Sequence, residues 1–354
     1  RVAALILGLF FILNALPCAA LDINPATDRD FDVPCQAAIL IDEDSGTVLY
    51  EKNADESRPI ASITKIMTLL LAFEALEAGK VSLSDIVPVS EHAYHMGGSQ
   101  IWLEPGEQLT LDEMLKAICI SSANDAAVAV AEFIGGSEPV FVERMNARAK
   151  ELGMQSTTFR NACGLDEDGH LSTARDVAIM SREMLLNHPE IENYCTVWMD
   201  TLRGGATQLV NTNKLLKSYN GITGLKTGTT GKAGATSLLD YGFAMFESAL
   251  VPIPADAPKT LPVQKGEEPV LELCYTAPER CLAVKGQGSA LQAEVELPQT
   301  LEAPIREGSV IGSLNIKNSQ GILQSCPIIA AKPVDVRSFS GCFRRVVNAL
   351  WLTA

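Results

Sequence analysis

The sequence predicts an α/β (α+β) chain: a domain of helices beside an antiparallel sheet, then a small all-β domain and a terminal amphipathic helix. Three observations carry this reading. Gln36 to Asp42 and Thr47 to Glu51 read as two strands around the turn Glu43-Asp44-Ser45-Gly46, ahead of a long stretch of helical periodicity. Pro252, Pro254, Pro258 and Pro262 mark a linker after that stretch. Beyond it, short β-prone runs such as residues 291–295 and 309–314 alternate with Gly and Pro.

The order of segments follows from local chemistry. Residues 1–20 read as a secretory signal, with an apolar run from Val2 to Leu16 behind Arg1 that ends in Pro17-Cys18-Ala19-Ala20. The main domain is placed at 21–250, the linker at 251–258 and the β-rich domain at 259–336. In the last segment, 337–354, Phe339, Cys342, Phe343, Val346, Val347, Leu350 and Trp351 recur at steps of three and four. That stripe describes a surface-lying helix, too short to span a bilayer.

Within the main domain, Ile63, Ile66, Met67, Leu69, Leu70, Leu71, Phe73 and Leu76 leave little polar circumference on a helix that begins near Ser62 and stops before Gly79. A helix apolar nearly all round lies inside a domain. Leu111 to Ile120, Asp125 to Gly135, Pro139 to Gly153 and Thr173 to Asn187 are further helices, and Ser122 to Asn124 falls on a link between two of them. Residues 221–230 are β-prone and glycine-punctuated, which lets something approach their backbone. Thr236 to Ala249 reads as a helix.

Composition narrows the function. The chain has 354 residues, 47% hydrophobic and 20% charged, an ordinary globular balance. Its net charge of -15, from 28 basic and 43 acidic residues, argues against nucleic acid as a partner, because phosphate binding needs clustered Lys and Arg. The cysteines are scattered, none in C-x-x-C spacing, and His92, His95, His170 and His188 do not cluster with them, so neither a metal nor a cofactor is expected.

Three short motifs carry chemistry. Ser62-x-x-Lys65 puts a hydroxyl and an amine one helical turn apart, beside a helix N-terminus whose N–H groups point outward. Taken alone, it is more simply an N-cap and a surface lysine. Ser122-x-Asn124 and Lys226-Thr227-Gly228 follow in order. Jointly these are the signature of penicillin-binding proteins and class A β-lactamases.

Beyond the motifs, the chain resembles the serine-type D-alanyl-D-alanine carboxypeptidases, the low-molecular-mass penicillin-binding proteins. The resemblance runs through Ile60-Ala61-Ser62-Ile63-Thr64-Lys65, Ser121 to Asp125, Gly164-Leu165, His170 to Asp176, Asn211-Thr212-Asn213 and Gly224 to Gly228. It implies a β-lactamase/transpeptidase-like domain, an exported enzyme held at the outer face of the bacterial cytoplasmic membrane by its terminal helix, peptidoglycan pentapeptide as substrate and β-lactams as covalent inhibitors. It also implies roles. Ser62 is the nucleophile and Lys65 its base; Ser122 relays a proton with Lys65 and Lys226, and Asn124 bonds the substrate amide. Lys226 and Thr227 receive the terminal carboxylate beside Gly228, and the backbone N–H groups of Ser62 and Thr229 form the oxyanion hole. A lysine with an ordinary pKa of about 10.4 costs roughly 4–5 kcal/mol to hold neutral at pH 7, so Lys65 must be pushed down.

Two rival readings stand beside this one. Glu183-Met184-Leu185-Leu186-Asn187 matches the E-x-x-L-N pattern of class A β-lactamases, although Glu183 reads as a solvated residue on an amphipathic helix. A non-catalytic or impaired wall-binding homologue is the other. Relatives carry two further strands after the Lys226 segment, whereas here Gly231 to Ala235 runs straight into Thr236 to Phe243. With that hairpin absent after residue 235, the Leu225 to Thr230 segment is expected either to pair directly with the Ile39 or Val48 strand or to lie poorly ordered, which would disconnect Lys226 from Ser122 while Ser62 and Lys65 stay together.

Overall fold

The computed structural model describes residues 33–228, 246–286, 288–318 and 321–338. The predicted signal segment, the terminal stripe from residue 339 onward, Thr229 and the predicted hairpin deletion lie outside these residues. The chain divides between Ala244 and Met245 into two compact units.

The first unit opens with β1 (Ala38–Ile41) and β2 (Val48–Lys52), antiparallel as the sequence predicts. Ser45, whose N–H and hydroxyl both reach Asp42 Oδ2, closes the turn between them. A 3-10 turn, Ala61–Thr64, then leads into α1 (Lys65–Glu77). Met67, Leu70 and Ala72 are fully buried, as is Lys65. This is the central helix, packed against three of those that follow.

A short ribbon of β3 (Ile86–Val87) and β4 (Leu109–Thr110) flanks α2 (Glu91–Tyr94). Next come α3 (Leu111–Ser121), α4 (Asn124–Gly135) and α5 (Glu138–Glu151). Thr110 and Glu113 form a reciprocal capping box that starts α3. At its other end Ser122 takes a left-handed conformation, φ 61°, which bends the chain into α4. After α6 (Ala174–Asn187), capped by the Thr173 side chain, come α7 (Glu192–Cys195), the antiparallel pair β5 (Met199–Leu202) and β6 (Thr207–Val210), and α8 (Leu215–Ser218).

One sequence expectation is narrowed here and another corrected. Residues 221–228, β-prone in sequence, form no strand, and of the two alternatives for the Lys226 segment the pairing with β1 or β2 is not made. Phe246–Leu250, read as the end of a helix, is a strand, β7, paired with β10 (Arg280–Val284) in register from Phe246–Val284 to Leu250–Arg280. Tertiary pairing overrides local periodicity there. In the division of the chain into two compact units, β7 falls with the β-rich residues.

That second unit also holds a six-stranded sheet of β8 (Thr260–Gln264), β9 (Val270–Tyr275), β11 (Gln292–Glu296), β12 (Leu301–Glu302), β13 (Val310–Asn318) and β14 (Gly321–Ala330). Its order is β11-β13-β14-β9-β8-β12, with the last pair parallel and the others antiparallel. Leu314, Ile316 and Ile328 are its fully buried centre.

Candidate active site

Lys65 is wholly enclosed at the start of α1. A surface lysine after an N-cap is therefore ruled out, and Ser62 caps no helix, since no side-chain cap bond forms at this end. The Lys65 ammonium nitrogen donates to Asn124 Oδ1 and to the Cys163 carbonyl, each at 2.6 Å, and lies 3.2 Å from Ser62 Oγ. Burial lowers its pKa to about 7, with the Lys226 charge acting in the same direction, while Cys163 and Asp125 oppose them. A neutral lysine has two N–H bonds and one lone pair. If both N–H bonds go to Asn124 and Cys163, the lone pair is left for the Ser62 hydroxyl.

Each partner is held from behind. Asn124 starts α4, and its Nδ2 donates to the Gly97 carbonyl at 2.7 Å, so both ends of its amide are engaged within the protein. Asp125, almost fully buried, accepts the N–H groups of Ile101 and Leu103 and fixes the loop that carries Gly97. The Cys163 carbonyl belongs to a turn whose Ala162 N–H donates to Glu138 Oε1 at 2.8 Å and whose Ala162 carbonyl accepts from Thr68 at 2.5 Å. Gly164 follows at φ 82°, where a Cβ would fall 1.9 Å from the Ala61 carbonyl oxygen. Only glycine lets this turn press against the nucleophile turn.

From the same loop, buried His170 reaches Thr64. Its Nδ1 accepts the Arg160 N–H at 3.2 Å, so Nε2 carries the proton and donates to Thr64 Oγ1 at 2.7 Å. Burial pushes the imidazole pKa down, which favours the neutral ring this geometry needs. The turn itself is strained, with Ala61 at φ 44°.

Ser122 and Lys226 are less connected. Ser122 Oγ is buried and has no hydrogen-bond partner among the described residues. Lys226 Nζ donates to the Thr227 carbonyl at 3.1 Å, and burial lowers its pKa to about 8. Thr227 pairs with Thr212 through their hydroxyls at 2.6 Å. Gly228 lies against the nucleophile turn, where a Cβ would come within 2.9 Å of Ile63 Cγ1. The structure thus brings Ser62, Lys65 and Asn124 into one hydrogen-bonded group, with Lys226 near enough to act on Lys65 but not bonded to Ser122.

Sequence reasoning missed the Cys163 carbonyl and His170 as parts of this group. The first acts through its backbone and leaves no side-chain signal; the second lay in a quoted run but was given no role. Glu183 is also corrected: it is not merely solvated, because its carboxylate pairs with Arg148 at 2.6 Å, beside Glu74 on the same guanidinium.

Residues 24–239 match the family described as D-alanyl-D-alanine carboxypeptidase, and residues 251–336 match the penicillin-binding protein 5 C-terminal domain. D-alanyl-D-alanine carboxypeptidase DacF of Bacillus subtilis is 38% identical over 380 residues, covering 98% of this chain and 97% of that protein. That span exceeds the 354 residues here, so the relative carries residues within the aligned region that this chain lacks. Penicillin-binding protein 5 of Haemophilus influenzae superposes with a TM-score of 0.75 at 27% identity, over 86% of this chain and 98% of that one. Penicillin-binding protein D2 of Listeria monocytogenes, in its ampicillin-bound form, matches at a TM-score of 0.54 and 30% identity, over 60% of this chain and 99% of that one. On family match, relatives and fold together, the chain belongs to the D-alanyl-D-alanine carboxypeptidase family.

Proposed function

We propose that the protein hydrolyses the terminal D-Ala-D-Ala bond of peptidoglycan stem pentapeptides through a Ser62 acyl-enzyme. The observation that supports this most strongly is the enclosed Lys65, its nitrogen 2.6 Å from both Asn124 Oδ1 and the Cys163 carbonyl and 3.2 Å from Ser62 Oγ. In the first step Lys65 takes the Ser62 proton while Oγ bonds to the carbonyl carbon between the two D-alanines. The tetrahedral oxyanion rests on the Ser62 and Thr229 N–H groups, where one donor of this kind is worth about 3–4 kcal/mol.

Collapse then breaks the C–N bond, and the leaving amine takes a proton from the Ser122 side. Water attacks the resulting ester, and Ser62 regains its proton as the shortened peptide departs. Thr227 and protonated Lys226 receive the terminal carboxylate beside Gly228. With both ends of its amide engaged, Asn124 serves first to aim Lys65 and meets the substrate amide only by exchanging one of those bonds. β-Lactams enter the same cycle as covalent inhibitors. We place the enzyme outside the cytoplasm, on the membrane surface through the segment 337–354.

One observation favours reduced turnover. Lys226 is not bonded to Ser122, so the relay to the leaving group lacks a link that proton transfer needs within about 3 Å. The test is release of D-alanine from a synthetic stem pentapeptide by the full chain and by Ser62→Ala. Release by the wild type alone supports the proposal. Release by both, or a single stoichiometric burst of D-alanine that leaves a persistent acyl-enzyme, contradicts hydrolysis through this site.

A further inference from the structure

Asn211-Thr212-Asn213 has no role in the chemistry above, yet it bonds both to the helix that delivers Ser122 and to the Lys226-Thr227-Gly228 segment. Asn211 is buried and fully used: its Nδ2 donates to the Cys195 and Val197 carbonyls at 3.0 and 2.8 Å, and its Oδ1 accepts the Asn213 N–H at 2.8 Å. This locks the backbone of Thr212. From there the Thr212 N–H donates to the Ile120 carbonyl at 3.1 Å, in the last turn of the helix that delivers Ser122. The Thr212 hydroxyl meets that of Thr227 at 2.6 Å. Cys195, whose carbonyl Asn211 holds, turns its thiol to the Thr223 carbonyl at 3.0 Å. Gly224 comes so close to that thiol that a Cβ would stand 2.3 Å from Sγ.

We infer that Thr212 and Cys195 are positioning residues that hold the Lys226-Thr227-Gly228 segment in register with the nucleophile turn. Residues 221–228 form no strand, so their alignment rests on the Cys195 thiol at the Thr223 carbonyl, the Thr212 hydroxyl at Thr227, Leu225 against the core and Gly228 against Ile63. Thr212 links that segment to the Ser122 helix, and Cys195 fixes its approach one turn of chain earlier. The consequence for catalysis rests on the carboxypeptidase reading: Thr212 orients the Thr227 hydroxyl toward the substrate carboxylate and touches no reacting atom itself.

The test uses Thr212→Val and Cys195→Ala, each paired with a serine variant that keeps a donor. Amide hydrogen exchange of the full chain reads the bracket without requiring activity. Thr212→Val and Cys195→Ala should each speed exchange in 221–228 roughly three- to tenfold, the worth of one ordinary hydrogen bond, with both serine variants close to wild type. Acylation then separates positioning from general damage. Thr212→Val should slow benzylpenicillin by a similar factor and leave the penicillin methyl ester, which has no carboxylate to place, unchanged. Unaltered exchange in both variants, or equal slowing of acid and ester, overturns the inference. A wild type that no penicillin acylates sinks the peptidase reading instead, and the exchange data still decide the bracket.

Discussion

Lys65 Nζ donates to Asn124 Oδ1 at 2.6 Å, tying the turn that carries the nucleophile to the start of the helix after Ser122. Burial sets the protonation of Lys65, and a change of charge at this acceptor should shift it. Asn124→Asp keeps the shape and places a carboxylate against the amine. An opposite charge at this range raises a lysine pKa by about 1–3 units. The acidic limb of penicillin acylation should move up by that amount, with slower acylation at pH 7. A limb that stays in place would mean that position 124 does not contact the Lys65 amine in the working enzyme.

The pH dependence of the wild type follows from the two lysines. Lys65 acts when neutral, so kcat/KM should rise with pH through about 7. Lys226 acts when charged, so it should fall through about 8. Stability has its own signature. Both folded values lie below the unfolded lysine value of about 10.4, so between about 7 and 10 the unfolded chain binds more protons and stability rises with pH. Denaturant unfolding at pH 7 and pH 9 measures this, and equal stability would contradict the burial of neutral lysines.

Gly164→Ala should be among the most damaging small changes. The left-handed backbone costs a non-glycine residue roughly 1–2 kcal/mol, and overlap with the Ala61 carbonyl adds about 1–3 kcal/mol. Equilibrium unfolding gives the total, and acylation of whatever folds should be slow because the nucleophile turn is displaced. A variant with wild-type stability and labelling would show that this contact does not shape the turn.

Glu183→Gln distinguishes the carboxypeptidase from the β-lactamase reading. With Glu183 held by Arg148, itself paired with Glu74 and Glu151, its loss should cost on the order of 1 kcal/mol of stability and leave deacylation unchanged. A penicilloyl-enzyme that persists in the variant but turns over in the wild type would assign Glu183 the deacylating role of the E-x-x-L-N pattern.

Much of the catalytic unit is legible because its signals are local. The apolar circumference of α1 and the boundaries of α3 through α6 follow from helical periodicity, and S-x-x-K fixes its own geometry by helical spacing. What escapes is non-local. The Cys163 carbonyl is recruited by a turn that Glu138 and Thr68 hold, and no side-chain pattern announces a backbone acceptor. Residues 221–228 carry strand-forming residue types but have no strand partner among the described residues, and the contacts they make instead, to the Thr212 hydroxyl and the Cys195 thiol, leave no mark in local periodicity. Phe246–Leu250 reads as helix until Arg280–Val284 pairs with it. Glu183 lies on a helix face that only the approach of Arg148 closes.

The central claim is that Ser62, activated by Lys65, forms an acyl-enzyme. Labelling with a fluorescent penicillin tests nucleophile, base and oxyanion donors in one measurement. The wild type should take up one covalent label, with Ser62→Ala folded but unlabelled and Lys65→Met slowed by several orders of magnitude. Labelling that persists in folded Ser62→Ala, or a folded wild type that takes up none, would contradict the account.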